Sequence, residues 1–270
     1  MTRSLFLAAL LILVPSVAAG KRAPSRTPVQ SAVTAEFILV GTVTEIAADA
    51  AMAESGPGTK TKVAYTVATV KVSDAIRGLK DTTHVKVGFL PNARSPLNLA
   101  EKGEYLLFLT KHHEGGFYVM NWMSPPLAVT ADTKASVDGV KAVGKILADP
   151  AKALKAEKEE DRYLAGTVLV LHHLTMSEFG VAETTEALPL EESQSILKAL
   201  AASDWGAAPQ VGGFSVMSSF YRLGLTDKDG WKPPAVKPGE DAVSATHKAY
   251  KDWLAGPGAK YQIKKFVPKK

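Results

Sequence analysis

Two periodicities divide the chain. From residue 35 to residue 122, short runs of β-branched, aromatic and other apolar residues are separated by turn residues, which is the texture of strands. Beyond Pro125-Pro126 the apolar positions recur every three to four residues, which is helical spacing. Five strands are predicted in the first region. Glu36 to Ile46 (EFILVGTVTEI) is apolar at its start and alternates later, as a strand does when it enters a core and then leaves it. Gly41, in its middle, permits a sharp bend or a close backbone approach. Thr61 to Ser73 carries Val63, Tyr65 and Val67 on one phase and Val70 and Val72 on the other, so a β-bulge is expected near Ala68-Thr69. Val85, Val87 and Phe89 define one face of a third strand, with His84, Lys86 and Gly88 opposite. Tyr105 to Leu109 (YLLFL) reads as a central buried strand, and Phe117 to Trp122 alternates again. Ala47 to Gly58 reads as a loop. Five strands of this spacing suit a small closed or partly open barrel.

In the second region Val137, Val140, Val143 and Leu147 mark a helix stopped by Asp149-Pro150. Ala151 to Leu174 reads as one long helix, charged in its first half and apolar in its second, the pattern of a central helix with little face to offer water. Pro189 suits the first turn of a third helix, with Ile196, Leu197 and Leu200 as its buried stripe. A fourth is expected over Phe214 to Leu223. Val243, His247, Tyr250 and Leu254 mark the last, closed by Gly256-Pro257-Gly258. The expected fold class is α+β. A five-stranded OB-like barrel over residues 33–130 is followed by a helical domain over 134–256 and a basic tail over 257–270.

The N-terminus changes the picture of where this protein works. Arg3 precedes an uninterrupted apolar run, Leu5 to Val14, which leads to the small residues Val17-Ala18-Ala19-Gly20. That is the order of a secretory signal peptide over residues 1–20, with cleavage after Ala19 or Gly20. The run is half of the roughly 20 residues that a spanning helix needs. Export is expected, to the periplasm or the exterior, with no membrane span after cleavage. Residues 21–32, with two prolines and three basic residues in Lys21 to Pro28, read as a flexible leader.

The chain has no cysteine, which removes disulfide frameworks, thiol nucleophiles and thiolate metal sites together. Its 46% hydrophobic content and 270 residues are enough for stability from core burial alone. The net charge of +5 admits acidic partners, but acids and lysines are interleaved almost everywhere except in the tail. An unknown protein or an extracellular polymer is the expected partner class, and nucleic acid is not.

The segments EFILVGTVTEI, YTVATVKVSDAIRGLKDTTHVKV and EKGEYLLFL resemble the netrin-like, TIMP-like β-barrels of exported bacterial proteins. The resemblance rests on Val40-Gly41-Thr42-Val43, on Arg77-Gly78 and on Gly103 to Leu109, and covers residues 33–125. It implies an OB-type barrel. The animal inhibitors of that family chelate a proteinase zinc through an N-terminal cysteine, so the same mechanism is not expected in a chain without one.

No catalytic, cofactor or metal motif is complete. In His112-His113 and His172-His173, neighbouring side chains point about 100° apart on a helix and to opposite faces on a strand, so neither pair is expected to chelate by itself. Asp227-Lys228-Asp229-Gly230 reads as a turn, because an EF-hand with Gly230 at its sixth position would begin at Leu225 and end at Val236. Ser195-Ile196-Leu197-Lys198 matches S-x-x-K without its companion motifs. Gly56 to Thr61 lacks the spacing of a phosphate loop. Tyr118 and Trp122 share one face of the last strand and form the candidate binding surface, as a stacking platform or as a seam onto the helices. No catalytic residue, cofactor or metal is expected. The expected function is non-enzymatic binding. A hydrolase site assembled from dispersed residues between the halves, or a protease inhibitor acting through a loop, are the alternatives.

Overall fold

The computed structural model describes residues 26–90, 98–120, 123–175, 183–206 and 215–269. The fold is α+β. Helix α1 (Pro28–Thr34) comes first, where a leader was expected through residue 32. Its start is well specified: Thr27 Oγ1 accepts from the Gln30 amide, Gln30 Oε1 accepts from the Thr27 amide, and Pro28 opens the first turn. Val29, Ala32 and Val33 are buried, so packing holds this short helix in place.

Seven strands form one sheet: β1 (Phe37–Ile46), β2 (Ala51–Glu54), β3 (Lys62–Arg77), β4 (His84–Phe89), β5 (Glu104–Lys111), β6 (Tyr118–Met120) and β7 (Leu127–Ala128). β1 pairs antiparallel with β3, β3 with β4, β6 with β5, and β5 back with β1. Among the described residues only β4 and β6 pair in parallel. β2 and β7 are additions at β3 and β5. β2 lies inside the stretch read from the sequence as a loop.

β1 and β5 are buried on both faces, which explains their unbroken apolar runs. Leu39, Val43, Leu107 and Leu109 face a sheet interior completed by Ala68, Val70, Val85, Val87, Phe89 and Met120. Ile38, Val40, Leu106 and Phe108 face the helices instead and belong to their core. The sheet and helices therefore share a continuous apolar seam. Gly41 permits a close approach: a Cβ there would stand 2.7 Å from the Lys71 carbonyl oxygen.

β3 corrects the expected bulge. Its register with β4 runs unbroken from Thr66 to Lys71. Tyr65 and Val67 pack on the outer face with Ala53 and Phe117, whereas Ala68 and Val70 face the interior. The apparent phase change is a change in which face is covered. Irregular register occurs instead against β1, where Thr44, Ser73 and Ile76 lie between paired positions. Gly88 has its own role, for the Phe117 ring would lie 2.4 Å from any Cβ there.

The helices are α2 (Lys134–Ala148), α3 (Pro150–Leu154), α4 (Glu159–Leu174), α5 (Leu190–Ala202), α6 (Val216–Arg222) and α7 (Ala242–Ala255). α4 is central, touching α1, α2, α3, α5 and α6, and every residue from Ala165 to Leu171 is buried. The single helix expected over 151–174 is broken after Leu154. Its charged middle has no apolar stripe to pack, and Arg162 donates through Nη1 to the Ala156 and Glu157 carbonyls at 2.7 Å, stabilising the turn.

The expected basic tail is also ordered. Pro257–Lys260 forms a 3-10 turn, and β9 (Lys264–Pro268) pairs antiparallel with β8 (Glu183–Ala187). Ile263 anchors it, being 1% exposed, with its amide donating to Ser193 Oγ at 3.1 Å and its carbonyl accepting from Leu188. One buried isoleucine holds a segment whose lysines read as solvated. No helix among the described residues is long and apolar enough to cross a membrane.

Candidate functional site

An open groove of ≈ 740 Å³ lies where α3, α4 and α5 meet. Pro150, Ala151, Leu154, Pro189 and Ala199 supply apolar wall, while Lys155, Arg162, Lys198, Glu191 and Glu192 supply charge. The break between α3 and α4 creates this concavity, since an unbroken helix would leave no corner. Both residues of the S-x-x-K match line it. Ser195 Oγ, however, donates to the Glu191 carbonyl at 2.8 Å, back along its own helix, and Lys198 is exposed one turn on. The serine is not hydrogen-bonded to a base. The arrangement suits holding a ligand that has apolar and charged parts.

The histidine pairs sit in two contrasting places. β5 ends at Lys111, so His112 and His113 lie in the turn toward β6, and their rings stack at 4.4 Å with 25° between planes. The opposite-face geometry of a strand does not apply there. His112 is 6% exposed and packs against Tyr65 and Phe117. Its Nδ1 accepts from the amides of Glu114 (3.1 Å) and Gly115 (2.8 Å), so its Nε2 carries the proton and donates to the Glu54 carbonyl at 3.0 Å. This ring ties β2 to the β5–β6 turn. His113 Nε2 reaches Glu54 Oε2 at 3.3 Å, and Glu114 Oε2 accepts from the Glu54 amide at 3.2 Å. Glu54, His113 and Glu114 offer ligand atoms that all lie within 4.8 Å of one another. Glu54 escaped the sequence reading because β2 was taken for loop, and Glu114, next to His113 in sequence, had no partner there to single it out.

His172 and His173 end α4. His172 Nδ1 donates to the Val33 carbonyl at 2.8 Å, fixing α1 to α4. Burial lowers its pKa, the Val33 bond opposes that, and the charges of Arg77 and Lys265 lower it further. His173 is pushed down to about 4, first by burial and then by His172 and Lys265. It is neutral at pH 7, and its Nε2 stands 3.5 Å from Glu192 Oε1 without hydrogen-bond geometry. Each pair thus meets a glutamate of its own.

Tyr118 is half-buried at one end of the sheet interior, edge-on to Phe37 at 5.0 Å, so part of its ring is already covered. Trp122 lies outside the described residues. Asp227 to Asp229 is a 3-10 turn closed by Gly230 at φ 72°, with Asp229 Oδ2 accepting from the Thr226 amide and hydroxyl. Gly56 to Thr61 is the connection between β2 and β3. No protein-family model matches the chain, and no curated protein matches it.

Proposed function

We propose that this chain is an exported, non-enzymatic binding protein whose sheet is an OB-like barrel of the netrin and TIMP type and whose helical half carries the ligand groove. The groove at α3, α4 and α5 is the observation that carries the reading. Three further features support it. The pairings β1–β3–β4–β6–β5 return to β1, with one parallel pair, as a five-stranded barrel requires. The sheet interior is filled, and the outer faces of β1 and β5 are covered by the helices, while the groove lies in the helical half. The charge, apolar run and small residues at the N-terminus support export. The ligand is a segment of another protein or an extracellular polymer with apolar and charged parts.

A photo-crosslinking residue at Ala202, on the groove wall, is the direct test, with the same residue at the exposed Met52 as control. In cells that make this chain natively, Ala202 should yield a discrete adduct that Ala199→Trp reduces, while Met52 should not. Equal labelling at both positions, or none, overturns the reading. Fractionation with mass measurement should find the mature chain outside the cytoplasm, beginning at Gly20 or Lys21. Uncut chain in the cytoplasm would refute export.

A further inference from the structure

We infer that Glu54, His113 and Glu114 bind one divalent transition-metal ion, with His112 as the positioning residue behind them. This site lies apart from the groove and does not depend on it. Its donors come from two segments distant in sequence, β2 and the β5–β6 turn, and converge only through folding. Two carboxylates and an imidazole occupy one patch, and no lysine or arginine among the described residues pairs with either carboxylate. Two glutamates held this close repel each other, and a divalent cation removes that cost.

The support is built into the fold. His112 is buried, bonds to the Glu54 carbonyl on one side and to the Glu114 amide on the other, and lies flat against the His113 ring. It holds both donor segments and limits how His113 can turn, as outer-shell residues do around metals. Ligands at about 2.0–2.2 Å from an ion such as zinc stand about 3.3–4.4 Å apart, depending on the angle between them. The observed spread of up to 4.8 Å therefore closes by rotation of the two glutamate ends, which exchange their contacts with the Glu54 amide and His113 Nε2 for the ion. One imidazole nitrogen with carboxylate oxygens suits Zn²⁺, Co²⁺ or Ni²⁺ better than Ca²⁺ or Mg²⁺, which favour all-oxygen surroundings. Three protein donors leave a position for water or for a group from a partner.

Titration of untagged, metal-free chain with Zn²⁺ in a calorimeter, and with Co²⁺ followed by visible absorption, tests this. One ion per chain is expected. Glu54→Gln and His113→Ala should each weaken binding at least tenfold and diminish the Co²⁺ bands, with circular dichroism unchanged. His173→Gln, at the other pair, should leave both readouts as they were. Absence of saturable binding, or binding that survives Glu54→Gln and His113→Ala, or binding lost only with His173→Gln, would overturn the assignment.

Discussion

The dipeptide His-His occurs twice in this chain and does two different jobs. At residues 112–113 it lies in a turn, one ring buried as a strut and the other facing two glutamates at the surface. At residues 172–173 it closes the central helix, with burial holding both rings toward the neutral form. Identical chemistry is thus divided by surroundings. In the first place the imidazole has carboxylates near enough to share a cation; in the second, buried surface and the charge of Lys265 disfavour protonation. A histidine pair in a sequence is therefore a question about its neighbours, which local spacing does not answer.

The contrast can be broken most forcefully at His172. His172→Ala removes a largely buried ring and leaves the Val33 carbonyl without its donor, which should cost about 3 kcal/mol. Urea midpoints read this, and a loss below about 1 kcal/mol would mean that the α1–α4 contact carries little. Acid should separate the pairs next. His173 titrates near 4 when folded and near the ordinary histidine value of 6.5 when unfolded. Its contribution is complete above pH 6.5 and is lost as the pH falls toward 4, because the unfolded chain takes the proton first. That shift corresponds to about 3 kcal/mol at full protonation, nearer 2 once the helix end swings toward water. Denaturation of the wild type and His173→Gln at pH 7.5, 5.5 and 4 should show the variant losing less stability on acidification. Parallel losses would contradict the depressed pKa. The smallest effect on folding belongs to His113→Ala, within about 0.5 kcal/mol, as expected for a surface substitution. Its consequence should appear in metal binding alone, and a large loss of stability would make His113 a structural residue like its neighbour.

Much of the fold was legible because the signals are local and strong. The alternation of Val85, Val87 and Phe89 and the run Leu106 to Leu109 marked β4 and β5. The helical stripes of α2, α5 and α7 needed only their period. What escaped did so for physical reasons. β2 (AMAE) is a short added strand, and its alanines carry no β preference. The expected bulge at Ala68-Thr69 was a misreading of a strand covered on different faces along its length, which only the partners Ala53 and Phe117 reveal. The α3–α4 break depends on Arg162 reaching carbonyls five and six residues back. The groove follows from that break, so it was equally hidden.

By itself the sequence determined the class of the molecule: a strand-rich stretch followed by a helix-rich one, no thiol chemistry, and the histidines and serines at its disposal. Those properties depend on composition and on periods of two and 3.6, which the chain carries residue by residue. Only the tertiary structure decided which partners cover the two faces of β1 and β5, that residues 264–268 form a strand, and that Glu54 meets His113 and Glu114. Each of these joins segments far apart in sequence, and which of them meet is set by the packing of the whole core.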